Sequence, residues 1–257
     1  MCKSNSPVGR RFNSSRNHQL HSTSKPVGIS EECLLFGSVK AYQGEWVEAV
    51  EQFSRTKTND WLAIALLQAG RNDEYRRLRH ECLERRGTAL DTETRLNRAK
   101  AFLLLPADGE DSERACNLGD IDAGSVSVKR YVYWLDAVEA LAEYRRGHFE
   151  SASDLANRVI SREDDTRTSR QAQAWCIRAL ACAQLQHMEQ ARVALASADE
   201  LLNQPNRDVR EDFLFSWTDW SIAEILSREA ADALGIPQPQ PSTDPKSTNN
   251  LPPTTEP

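Results

Sequence analysis

Proline is scarce where it would matter most. Of the eleven prolines, seven lie in residues 236–257, and between residues 31 and 235 there are only Pro106 and Pro205. An interior proline removes a helix hydrogen bond and clashes with the preceding turn, so a middle this free of breakers favours helices throughout. Strand signals are nearly as rare. The Ser-Val-Ser-Val run at residues 125–128 alternates, but it is too short and isolated to seed a sheet. No window approaches the ~18 apolar residues of a membrane-spanning helix, and residues 1–30 lack the apolar centre of a secretory leader. The expectation is a cytoplasmic protein that makes no membrane contact.

Motifs that carry chemistry are missing as well. There is no G-x-G-x-x-G loop, no His-Arg-Asp or Asp-Phe-Gly triplet and no G-x-S-x-G elbow. His80-Glu81-Cys82-Leu83-Glu84 comes nearest to a zinc-protease helix, yet it lacks the second histidine that would set two ligands on one face. Cys176 and Cys182 fall about 240° apart around a helix and cannot share an ion. His148 and His187 sit beside expected turns, and Asp164-Asp165 lies in a polar stretch with no apolar pocket to shift a carboxyl pKa. The chain is therefore read as non-catalytic, with no catalytic residue, no metal and no cofactor.

Positive charge is missing from the body of the chain. The net charge is −6, while residues 1–30 carry Lys3, Arg10, Arg11, Arg16 and Lys25 and no acid, which leaves the rest more acidic still. A nucleic-acid-binding body would show the reverse. The basic start is most simply a solvated leader. Six cysteines, at 2, 33, 82, 116, 176 and 182, fall mostly on expected apolar helix faces and read as small buried hydrophobes in a reducing compartment.

What is present is helical periodicity in pairs. Trp134, Leu135, Val138, Leu141 and Ala142 mark one apolar stripe, Gly147 interrupts it, and Phe149, Ala152, Leu155, Ala156, Val159 and Ile160 resume it. The pattern returns with Trp175, Ala179, Ala181 and Leu185, a turn at Gln186-His187, then Met188, Ala191, Leu195, Ala198, Leu201 and Leu202. Earlier hairpins turn at Gly44 and Gly70, glycine releasing the backbone where a helix ends. The arginines 76, 77, 79, 85 and 86 read as a solvated face.

The third hairpin starts at an Asp91 cap and stops at Pro106. An acidic loop 107–111, a short helix near 112–118 and an irregular segment 119–129 follow. A capping box is expected at Thr168 and Gln171, and Asp208 and Glu211 open a last helix over 213–234, which bears Phe213, Trp217 and Trp220 and should close the array. The expected organisation is a disordered basic leader 1–30, a helical domain 31–235 and a disordered proline-rich tail 236–257.

Helix starts near 31, 59, 92, 130 and 168 bracket the period of the tetratricopeptide repeat. The fifth unit resembles that repeat best: Trp175 fits the first aromatic position, Ala179 and Ala191 the small ones, with Leu195, Ala198 and Pro205 following. Gly37, Gly44, Ala49 and Phe53 of the first unit and Ala140, Gly147, Phe149 and Ala152 of the fourth look similar. Asp136, Arg178 and Tyr75 depart from the pattern. The resemblance implies an all-α, right-handed α-α superhelix of about five hairpins with a C-terminal capping helix.

A narrower likeness lies in residues 73–77, 98–106, 141–150 and 219–220, which resemble the repeat region of large bacterial serine/threonine kinases and WD-repeat signalling proteins. In arrays of this family the first helix of each pair lines a concave surface. The likeness thus implies Trp134, Tyr144 and Arg145 as partner contacts, aromatic and arginine side chains being the usual anchors; the alternative for Trp134 is that it packs in the core. The expected function is a scaffold or adaptor that binds a protein, a signalling kinase being the partner class the likeness suggests. The alternatives are a stand-alone remnant of a larger protein that self-associates through an exposed array end and, more distantly, an enzyme whose pocket is not recognised.

Overall fold

The computed structural model describes residues 29–85, 90–121, 129–162, 168–204 and 213–237. Every element among them is an α-helix: α1 Ile29–Tyr42, α2 Trp46–Ser54, α3 Asn59–Gln68, α4 Asn72–Glu84, α5 Thr92–Phe102, α6 Gly109–Gly119, α7 Lys129–Arg146, α8 Phe149–Ile160, α9 Thr168–Gln184, α10 Met188–Leu202 and α11 Phe213–Ala233. The all-α expectation stands. Consecutive helices pack as pairs, α1 on α2 through α9 on α10, and the odd-numbered helices also pack side by side, α3 on α5, α5 on α7 and α7 on α9.

Four of the hairpins turn in the same way. At Gly44, Gly70, Gly147 and Gln186 the backbone enters the left-handed region, with φ of 76°, 70°, 83° and 62°. The next residue's N–H reaches back five positions in each case: Glu45 to Lys40 O, Arg71 to Leu66 O, His148 to Glu143 O and His187 to Cys182 O. The N–H of the left-handed residue itself reaches back three positions, to Ala41 O, Leu67 O, Tyr144 O and Ala183 O, and the two bonds together satisfy carbonyls that a helix end otherwise leaves without donors. Glycine enters that region at no steric cost, whereas Gln186 holds it against one.

Alanines mark the close approaches, as the periodicity suggests. Ala49, Ala152, Ala179, Ala181, Ala191 and Ala198 are all fully buried, and the five described cysteines are buried free thiols. Burying each larger neighbour such as Phe53, Leu180 or Val159 contributes about 1.5 to 3 kcal/mol.

The third hairpin differs from the others, and in part from its expected shape. Residues 103–108 join α5 to α6, and α6 starts at Gly109, inside the stretch expected to be an acidic loop. Glu110 and Asp111 occupy its first turn, where acidic side chains favour the positive end of the helix. Asp91 caps α5 as expected, its Oδ1 accepting from the Thr94 N–H at 2.9 Å. The expected irregular segment falls largely on 122–128, and the Asp208 and Glu211 cap on 205–212, outside the described residues.

One correction concerns a side chain with long reach. Arg79, expected on a solvated face, is 4 % exposed. Its guanidinium donates to Leu105 O at 2.8 Å and Pro106 O at 3.3 Å, in the segment that follows α5. Beyond the single arginine, α11 covers the last hairpin along α9 and α10 and also packs on α1 and α3. The helix farthest along the chain thus joins the first hairpin to the last.

Candidate binding groove

The odd-numbered helices present one side to α11, and the residues singled out in the sequence lie along that seam. Trp134 on α7 is 5 % exposed. Lys100 Nζ from α5 stands 4.1 Å and the Arg170 guanidinium from α9 4.4 Å from its ring. A desolvated cation over an indole face is worth up to about 2 kcal/mol. Lys100 then donates to Asp219 Oδ1 of α11 at 3.1 Å, and Gln173 Nε2 of α9 donates to the Asp219 carbonyl at 2.7 Å. One indole and one carboxylate tie four helices together.

Arg145, at the other end of α7, closes a second junction. Its Nε donates to Leu103 O and one terminal nitrogen to Leu104 O, both at 2.7 Å, where α5 has ended. The two terminal nitrogens also take the two oxygens of Glu229 on α11, at 2.5 and 2.7 Å. Burial works against its charge and the Glu229 carboxylate outweighs burial, so the guanidinium pKa ends above its ordinary value. Tyr144 packs against Phe149 at 5.8 Å, with the Arg145 guanidinium 5.1 Å from its ring. Burial pushes its phenol pKa up.

α11 packs on α1, α3, α9 and α10. Trp134, Tyr144 and Arg145 each have an in-chain neighbour: Lys100 of α5, Phe149 of α8 and Glu229 of α11. Lys100, Arg170, Gln173, Asp219 and Glu229, which build the seam with them, did not stand out as site residues in the sequence. A partial signal was there: the four short stretches 73–77, 98–106, 141–150 and 219–220 converge. Tyr75 Oη donates to Ala101 O at 2.9 Å, Lys100 meets Asp219, and Arg145 meets Leu103 and Leu104.

Away from the groove, His80 and Glu84 on α4 come together with Asp111 on α6, with ligand-type atoms within 4.8 Å of one another. These groups already have in-chain partners. His80 Nδ1 shares a hydrogen bond with Asp111 at 3.0 Å, and Arg114 pairs with Glu84 and Glu110. Among the described residues no helix is long and apolar enough to cross a membrane. Compared with family models, curated proteins and solved structures, the chain matches none.

Proposed function

We propose that the chain is a non-catalytic scaffold, built as a right-handed superhelix of tetratricopeptide-like hairpins, that binds a protein partner through an amphipathic helix of that partner. One observation supports the reading. The groove already receives a helix, α11, through an aromatic anchor at Trp217, carboxylate anchors at Asp219 and Glu229 and small residues such as Ala223 and Ala230 between them. Grooves that take amphipathic helices use this combination of spaced apolar anchors and flanking charge. Trp134, Tyr144 and Arg145 meet the partner where its helix takes the place of α11. A signalling kinase is the partner class suggested by the likeness in residues 73–77, 98–106, 141–150 and 219–220.

The test is affinity capture with wild type and with Glu229→Arg, which sets a cation against Arg145 and loosens α11. A partner enriched by wild type and enriched further by the variant supports exchange with α11. A partner insensitive to the variant moves the contact to another face, and no specific partner with either protein overturns the reading.

Self-association is a second reading, and the start of the array favours it. Leu35, Phe36 and Tyr42 of α1 are 49, 59 and 45 % exposed and recur at helical spacing on one side of that helix. Light scattering across concentration decides it, a strict monomer removing the idea.

A further inference from the structure

The aromatic residues gather where α2, α3 and α11 meet. Phe53 stacks on Trp217 with centroids 5.3 Å apart, and Trp61 stands edge-on to both. Trp46 leans on Trp217 at 49°, with centroids 6.2 Å apart. This cluster has an open side. There Tyr42, Trp46, Trp217 and Trp220 line a half-open cleft of about 430 Å³, together with Ser216, Ser221 and Glu224 of α11.

We propose that this cleft binds a small organic cation, one whose ammonium head is methylated. Aromatic faces carry partial negative charge and attract a cation placed over them. Among the described residues four such side chains and one carboxylate line the space, and no lysine, arginine or histidine does. The volume is in the range of small-molecule sites. A bare ammonium is compact and strongly hydrated, so it loses more on leaving water than a methylated one, whose methyl groups also fill an apolar wall. That balance selects the methylated head.

The carboxylate is positioned from outside the cleft. Gln68 Nε2 on α3 donates to Glu224 at 2.9 Å, and the amide oxygen of the same side chain accepts from Arg228, one turn further along α11, at 2.6 Å. Gln68 therefore holds the acid while engaging the neighbouring base. In the wall itself, Trp217 is 3 % exposed and its indole N–H has no acceptor among the described residues. Buried donors are nearly always paired. The inference stands apart from the scaffold reading and does not depend on it.

The experiment is calorimetric titration of the full chain with choline and with 3,3-dimethyl-1-butanol, its neutral isostere with carbon in place of nitrogen. Choline should bind, the isostere about tenfold more weakly. Tyr42→Ala and Glu224→Gln should each weaken choline several-fold with the far-ultraviolet circular dichroism spectrum unchanged, and Phe36→Ala, outside the cleft, should leave it unaltered. A short peptide bearing trimethyl-lysine supplies the same head from a protein. Tighter binding of the peptide would identify the cation as a partner's modified side chain, and tighter binding of choline as a free metabolite. Equal binding of choline and isostere, choline binding indifferent to both cleft variants, or no heat from choline at millimolar concentration would each overturn the proposal.

Discussion

Arg145 and Glu229 lie 84 positions apart in the chain and form a two-pronged ion pair between α7 and α11. The arginine side chain is 6 % exposed and the glutamate 21 %. Arg145 also serves the last carbonyls of α5, so one guanidinium joins α5, α7 and α11.

Removing one partner of a buried pair strands the other. Arg145→Ala should therefore cost about 3 to 5 kcal/mol, with Glu229→Gln costing less because an amide oxygen still accepts one hydrogen bond. Urea unfolding followed by tryptophan emission measures both. Equal and small losses would mean that the pair is solvated and adds little.

Gly37 of α1 faces the Phe53 ring, and a Cβ there would sit 2.7 Å from Cδ1. The ring has little room to yield, because it is stacked on Trp217 and fully buried. Gly37→Ala gains about 1 kcal/mol of helix propensity and loses about 1 to 3 kcal/mol to overpacking, so the net effect should be destabilising. Phe53→Leu in the same chain should recover part of the loss, which a double-mutant cycle reads directly. A stabilised single variant would contradict this packing.

Two caps provide a matched contrast. Asp91 bonds the Thr94 N–H, whereas Asp108 at the start of α6 makes no side-chain cap bond. Asp91→Ala should lower stability by about 1 kcal/mol and Asp108→Ala by much less. Thermal melts of the two variants compare them, and equal effects would argue against the Asp91 cap.

Asp60 gives the pH dependence a sign. Burial raises its carboxyl above the ordinary 3.8, with backbone N–H groups, Lys100 and Arg98 pulling the other way. The folded chain holds this proton more tightly than the unfolded one. The contribution therefore favours folding below the ordinary value and is lost as pH rises through the window up to the folded value. Asp60→Asn cannot lose a proton, so the variant should gain on wild type as pH rises from about 3 to about 7. Urea midpoints at the two ends check it, and parallel pH curves would remove Asp60 from the account.

Gln186 tests the shared turn. It holds φ of 62°, where glycine stands at 44, 70 and 147. A left-handed non-glycine residue costs about 1 kcal/mol, so Gln186→Gly should be neutral or stabilising in thermal melts, while Gly147→Ala should be destabilising.

Local features were legible in the sequence and distant ones were not. Gly44, Gly70 and Gly147 announce turns through backbone freedom alone, and the Gln186 turn was visible because the apolar stripes on either side of it break there. Asp91 was legible as a cap because its partner is three residues away. Arg79 was not, since its acceptors lie 26 and 27 positions on and a helix-surface arginine looks the same whether it meets water or a carbonyl. The position of α11 was invisible for the same reason. Its Phe213, Trp217 and Trp220 spacing marks an apolar face without saying against which helices that face packs. The apolar character of Trp134 was readable, whereas the cations beside it come from α5 and α9 and carry no local signature.

The path of α11 also bears on how the chain is made. A linear repeat array can nucleate in any unit and grow by neighbours, so its early repeats can settle before the later ones emerge from the ribosome. Here α1 and α3 pack on a helix that begins at Phe213. The first hairpins therefore wait until α11 has been synthesised to complete their burial. Loop closure over that separation is slow, and the apolar surface left open meanwhile invites association. The packing that makes the finished protein cooperative thus makes the nascent one dependent on α11.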